Sequence, residues 1–135
     1  MEPIKIEGRE NSPEIDFDFS ANSFKISGMS YMEDAAGFYE NIIEQLKTYL
    51  AGANGETITF TFEMSYFNSS SSRVIFGLLG LLDRAAGSGN DVSIEWLFDD
   101  EDIGEEGELL SDDLENASFK LVETNNGTPS SSDNS

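Results

Sequence analysis

From Thr57 to Phe67 polar and apolar residues alternate, and the run then gives way at once to Asn68, four consecutive serines from Ser69 to Ser72, and Arg73. A period of two over that length predicts a strand buried on one side, with Ile58, Phe60, Phe62, Met64 and Tyr66 inward and Thr57, Thr59, Thr61, Glu63 and Ser65 outward. From Val74 the spacing changes to three and four, through Ile75, Leu78, Leu79, Leu81, Leu82, Ala85 and Ala86, which predicts a helix. Gly77 and Gly80 lie inside it. Each costs about 1 kcal/mol against alanine there, so the pair implies close approach to a neighbouring strand, helix or partner. Gly87 to Asp91 turns the chain back into Val92, Ile94, Trp96 and Phe98, and the strand–helix–strand unit has the length of a parallel crossover.

The flanks follow the same logic. Ile4 and Ile6, then Ile15, Phe17 and Phe19, then Phe24 and Ile26 alternate with polar residues, with a tight turn at Ala21-Asn22-Ser23, and predict a hairpin or small meander. Ala35, Phe38, Tyr39, Ile42, Ile43, Leu46, Tyr49 and Leu50 predict a helix over about 33–51, with Glu33 and Asp34 in its first turn. Asp99, Asp100, Glu101, Asp102, Glu105, Glu106 and Glu108 form an acidic stretch that lacks the ligand spacing of a calcium loop. It is expected to be a loop opening a third helix over about 105–114, with a last strand around Phe119, Leu121 and Val122. Strands with one polar face imply a single α/β (α+β) domain, a mixed sheet with helices mainly on one side. Residues 1–123 make that domain, and the polar stretch 124–135 is expected to be a disordered tail.

Composition closes off much chemistry. The 135 residues contain no His and no Cys, so the commonest general base, the thiolate nucleophile and the commonest metal ligands are all absent. With seven Lys and Arg against 27 Asp and Glu, the formal charge is −20, which repels nucleic acid and anionic membrane surfaces. The same charge suits a nucleic-acid mimic, an alternative that a solvated acidic surface explains more simply. No run reaches the ~18–20 apolar residues that span a bilayer, and without a signal segment the expected location is the cytoplasm. No metal or cofactor is called for, and an enzyme is not expected.

At the strand-to-helix junction, Asn68 is a suitable N-cap and the serines fall in the first turn, where N–H groups lack intrahelical acceptors. Capping needs one polar side chain, and four serines exceed that need. A phosphate there would be stabilised by the free N–H groups and the helix dipole, and Arg73 lies one turn beyond Ser69 on the same face. A serine nucleophile would need a base, and no Ser-x-x-Lys spacing supplies one. The junction therefore reads as a modification and contact site, with Asn68, Ser70, Ser71 and Arg73 around the phosphate or partner.

Four segments in order, Gly8-Arg9-Glu10-Asn11-Ser12-Pro13-Glu14-Ile15, Gly28-Met29-Ser30-Tyr31-Met32-Glu33-Asp34-Ala35, Tyr66-Phe67-Asn68-Ser69-Ser70-Ser71 and Trp96-Leu97-Phe98-Asp99, resemble the SiaC family of bacterial regulatory phosphoproteins. The resemblance spans about residues 4–123. It implies a fold like that of the STAS anti-sigma-factor antagonists, and regulation by reversible phosphorylation through a serine/threonine kinase and a metal-dependent phosphatase. The modified hydroxyl of the family, which follows the asparagine, maps onto Ser69, with Ser70 as a rival. Better-known members carry threonine there and proline at the place of Met32. Some members, when unphosphorylated, bind and activate a diguanylate cyclase, which the resemblance puts forward as a partner.

Overall fold

The computed structural model describes residues 1–124; the expected tail lies, apart from Thr124, outside the described residues. Six strands stand in chain order across one sheet: β1 (Ile4–Ile6), β2 (Glu14–Asp18), β3 (Ser23–Ser30), β4 (Thr57–Phe67), β5 (Asp91–Phe98) and β6 (Ser118–Glu123). The first three pair antiparallel and β3 to β6 pair parallel, so the sheet is mixed. Each parallel pair is joined by one helix: α1 (Ala35–Gly52), α2 (Ser69–Gly87) and α3 (Glu101–Leu110). Asn22, at a φ of 56°, makes the tight turn into β3, a conformation asparagine tolerates better than most residues.

One face of the sheet carries the core. Phe17, Phe24, Phe60, Phe62, Ile58, Ile94 and Trp96 are buried there against Tyr39, Ile42 and Leu46 of α1 and Ile75, Leu78 and Leu82 of α2. The aromatic rings interlock, with Phe17 edge-on to Phe24 at 5.2 Å between centroids and Phe62 tilted against Trp96 at 5.3 Å. On the opposite face the register sets Lys5, Asp16, Lys25, Thr61, Glu95 and Lys120 in one row across all six strands. Alternating charge there, including the Lys5–Asp16 and Lys25–Glu63 pairs, keeps that face wet and leaves every helix to the other.

Four details depart from the periodicity. The alternation of β4 does not hold to its end: Met29 of β3 pairs with Tyr66 and Gly28 with Met64, so Ser65 is an extra residue. Such a bulge shifts the following side chains by one position, and Tyr66 turns outward at 44% exposure while Phe67 turns in at 8%. Gly28, at a φ of 103°, sits where the register slips, a backbone conformation L side chains rarely adopt. The third helix starts at Glu101 rather than near Glu105, because Asp100 caps it by accepting from Asp102 N–H at 2.7 Å. Glu101 and Asp102 then lie in its first turn, which suits the helix dipole.

Helix α1, by contrast, begins two residues later than expected, at Ala35 rather than Glu33, so neither acid lies in its first turn. Asp34 is its N-cap, accepting from Gly37 N–H at 3.0 Å. The fourth departure concerns the two interior glycines of α2, Gly77 and Gly80. A Cβ on Gly77 would meet nothing within 4 Å, and one on Gly80 only the Arg84 guanidinium at 3.7 Å, so neither is required by a neighbour within the chain. Close approach occurs in α3 instead: Gly107 lies against the Trp96 indole, and a Cβ on Gly104 would come within 2.7 Å of the Phe98 ring.

Candidate functional site at the head of the second helix

Because β3, β4 and β5 are parallel, their carboxyl ends open on one edge of the sheet, where α1, α2 and α3 begin. Such an edge is where α/β sheets commonly place their sites. The four segments singled out in the sequence converge here. The loop of Arg9 to Pro13 is tied in by Tyr31 N–H donating to Asn11 O at 2.8 Å, and Asn68 N–H donates to Ser30 O at 3.1 Å. At the far side Thr124 N–H donates to Phe98 O at 2.7 Å, just past the end of β6.

Asn68 does what its position requires of an N-cap, and more. Its Oδ1 accepts from Ser71 N–H at 3.0 Å, its carbonyl accepts from Ser72 N–H at 2.8 Å, and its Nδ2 donates to Met32 O at 2.9 Å. One side chain thus caps α2 and fastens it to the segment entering α1. The amides of Ser69 and Ser70 remain without intrahelical acceptors, as the first turn of any helix leaves them.

The consecutive hydroxyls have different fates. Ser70 Oγ donates to Glu33 O at 3.1 Å and accepts from Ala35 N–H at 3.2 Å, so it caps α1 from a neighbouring helix. Ser71, expected at the contact surface, is instead fully buried. Its Oγ donates to Ser30 O at 2.9 Å and lies 2.6 Å from Ser30 Oγ, which in turn lies 3.0 Å from Tyr39 OH. Burial pushes the Tyr39 phenol up to about 12. Ser72 is half-buried, and Ser69 stands exposed.

Ser69, Ser72 and Arg73 line a cleft of about 520 Å³ together with Tyr66, Asn68, Asp100, Asp102, Ile103 and Glu106. Arg73 is exposed and joins none of the ion pairs among the described residues. Across from it, the acids come from the cap and first turns of α3. Sequence spacing puts Asp100 and Asp102 in a loop and Glu106 in the helix it opens, without relating them to the serines; the parallel β4–β5 pairing brings the heads of α2 and α3 side by side. Tyr66 and Tyr31 were also missed as surface residues. Released outward by the bulge, Tyr66 packs its ring 5.7 Å from Tyr31, and with Met29 they form a patch exposed by 44%, 54% and 38% respectively. Among the described residues no three carboxylates gather closely enough to hold a metal ion, and no helix is long and apolar enough to cross a membrane.

A mixed sheet clothed on one face, with an exposed serine heading the helix that leaves its long central strand, defines a small α/β domain. Residues 6–124 match the model of the SiaC family regulatory phosphoproteins, and the chain belongs to that family. It is similar to a protein of Pseudomonas aeruginosa strain UCBPP-PA14, 27% identical over 99 residues that cover 73% of this chain and 78% of the relative. Its structure is similar to that of SiaC from Pseudomonas aeruginosa, with a TM-score of 0.84 at 25% identity over 92% of this chain and 100% of that one. It is also similar to a chain in the crystal structure of the diguanylate cyclase SiaD in complex with its activator SiaC from the same organism, with a TM-score of 0.82 at 25% identity over 90% and 99%.

Proposed function

We propose that this regulatory phosphoprotein is a partner-binding module switched by phosphorylation of Ser69, acting through contact rather than catalysis, in the cytoplasm. The observation that carries the residue assignment is the division of labour among the serines. Ser71 is buried and bonded, Ser70 is committed to both sides of the α1 cap, Ser72 is half-buried, and Ser69 alone of the four is exposed at the helix head. A kinase would transfer the terminal phosphoryl group of a nucleoside triphosphate to Ser69 Oγ, forming the O–P bond, breaking the bond to the diphosphate and releasing the hydroxyl proton. A metal-dependent phosphatase would return serine and inorganic phosphate using water.

The unmodified face is suited to a protein partner. Small hydroxyls at the helix head adjoin the Met29, Tyr31 and Tyr66 patch, and exposed aromatic clusters of this kind mark contact surfaces. The complex of SiaD with SiaC supports a diguanylate cyclase as the partner class. Adding close to two negative charges at Ser69 would impose desolvation and repulsion at the centre of that face and release the partner.

The test is intact-mass and phosphopeptide analysis of the chain from its own cells, with Ser69→Ala and Ser70→Ala variants beside the wild type. Phosphate is expected to disappear in Ser69→Ala and persist in Ser70→Ala, and Ser69→Glu is expected to lose partners that the wild type retains. A chain never modified at these serines, with Ser69→Glu retaining every partner, would overturn the reading.

A further inference from the structure

The geometry points to α3 as the element that responds to a phosphate on Ser69: the carboxylates of Asp100, Asp102 and Glu106 share its cleft, and their repulsion from the phosphate would lift the helix off Trp96. This inference rests on Ser69 being the modified residue. It adds a conformational change to what would otherwise be a local block of the surface.

Charge sets the direction. The cleft holds one cation, Arg73, against the three carboxylates. A phosphoserine adds close to two further negative charges, so even after Arg73 pairs with it, one turn along the same helix, the excess of negative charge grows. The phosphate is covalently fixed to α2, which Asn68, Ser70 and Ser71 fasten to β3 and α1. The head of α2 therefore cannot yield, and the strain falls on α3.

Attachment sets the magnitude. In α3 only Ile103, Gly104 and Gly107 are buried, and two of those are glycines that offer no side chain to interlock with the sheet. At those glycines the helix rests by backbone on the Trp96 and Phe98 rings, the Trp96 indole N–H donates to Ile103 O at 3.0 Å, and only Ile103 and the partly buried Leu110 add apolar side chains to the core. Its remaining residues include Glu101, Asp102, Glu105, Glu106 and Glu108 with no basic residue in the last turn, so it opposes its own helix dipole at that end. Helices held by little buried area and interrupted by glycine belong to the parts of a fold that open most readily.

Trp96, the sole tryptophan of the chain, is fully buried beneath α3 and reports on this contact directly. The experiment uses the full chain synthesised with phosphoserine at position 69, beside unmodified protein and Ser69→Gln, which adds bulk without charge. Phosphorylation is expected to shift Trp96 emission to the red, raise its quenching by acrylamide, and speed amide exchange of residues 101–110 roughly tenfold, as a few unit charges across a partly wet cleft would do, with α1 unchanged. The response is expected to shrink in Asp102→Asn/Glu106→Gln protein and in 1 M salt, where the screening length falls to ~3 Å, and to grow in Arg73→Ala. Identical emission and α3 exchange with and without the phosphate would overturn the inference. Because the phosphate is installed by synthesis, that failure is separate from a failure to find Ser69 modified in cells, which would instead overturn the switch itself.

Discussion

Replacing Ser71 by alanine is expected to cost far more stability than replacing Ser69, although the two lie within one turn of the same helix. Ser71 Oγ gives its proton to Ser30 O at 2.9 Å, so in its 2.6 Å contact with Ser30 Oγ it must accept. Ser30 Oγ–H is then the donor to Ser71, and Tyr39 O–H the donor to Ser30, at 3.0 Å. Every proton in the chain Tyr39, Ser30, Ser71, Ser30 O is thereby accounted for in a site closed to water, since all three side chains are fully buried. Removing Ser71 Oγ leaves one of the remaining hydroxyl protons without an acceptor, whichever way Ser30 rotates. An orphaned buried donor costs about 1–3 kcal/mol, and the better helix propensity of alanine returns at most about 0.5 kcal/mol. Ser69→Ala removes an exposed hydroxyl and is expected to stay within about 0.5 kcal/mol of wild type.

Urea unfolding followed by Trp96 emission measures both, and an unchanged denaturant slope would show that the same surface is exposed. A Ser30→Ala/Ser71→Ala double variant is expected to lose less than the sum of its parts, by about 1 kcal/mol, because it leaves a single orphaned donor, the Tyr39 hydroxyl, where the two single variants leave one each. A Ser71→Ala midpoint matching that of Ser69→Ala, or strictly additive losses, would refute the hydroxyl chain as a stabilising unit.

Alkaline pH provides a second check, since the Tyr39 phenol is pushed up to about 12 by burial. A folded-state value raised above the unfolded one means its contribution is complete below about pH 10 and is lost as pH rises toward 12, amounting to roughly 3 kcal/mol; Tyr39→Phe is expected to flatten that part of the stability–pH curve. Gly107→Ala, whose new methyl would collide with the Trp96 indole, is expected to displace α3, cost about 1–3 kcal/mol, and redden Trp96 emission, whereas Gly77→Ala, facing open space, is expected to stabilise by up to about 1 kcal/mol. Asp83 accepts from the N–H groups of Glu115, Asn116 and Ala117 at 3.1, 2.7 and 2.9 Å. Burial pushes its carboxyl up, but these bonds more than reverse that and hold it below the usual range, so its contribution is present above about pH 4 and is lost as pH falls through the lowered value. Asp83→Ala is expected to speed amide exchange over residues 115–123 and to cost about 2 kcal/mol in a urea titration at pH 7.

The alternation from Thr57 to Phe62, the three-and-four spacing of α1 and α2, and the polar row that opposes them are local properties of the chain. They determine strand, helix and buried face without reference to distant residues, because side-chain periodicity and backbone geometry are locked together. Absence of His and Cys and the charge of −20 likewise belong to composition and limit the chemistry whatever the fold. The Asn68 cap was legible for the same reason: an N-cap is satisfied within four residues of itself.

Contacts across the sheet were not legible. Whether Ser69, Ser70 or Ser71 is exposed depends on Ser30, Glu33 and Ala35, more than thirty residues away in the chain, and identical side chains in a row carry no mark of which partner each will meet. Tyr66 faces outward because β3 slips against β4 at Gly28, an event set by pairing rather than by the alternation of either strand. Gly77 and Gly80 inside α2 and Gly104 and Gly107 inside α3 carry the same composition signal and have opposite surroundings. The cleft itself exists only because parallel strands deliver the heads of successive helices to one edge, so tertiary structure alone decided that a serine and three carboxylates would share it.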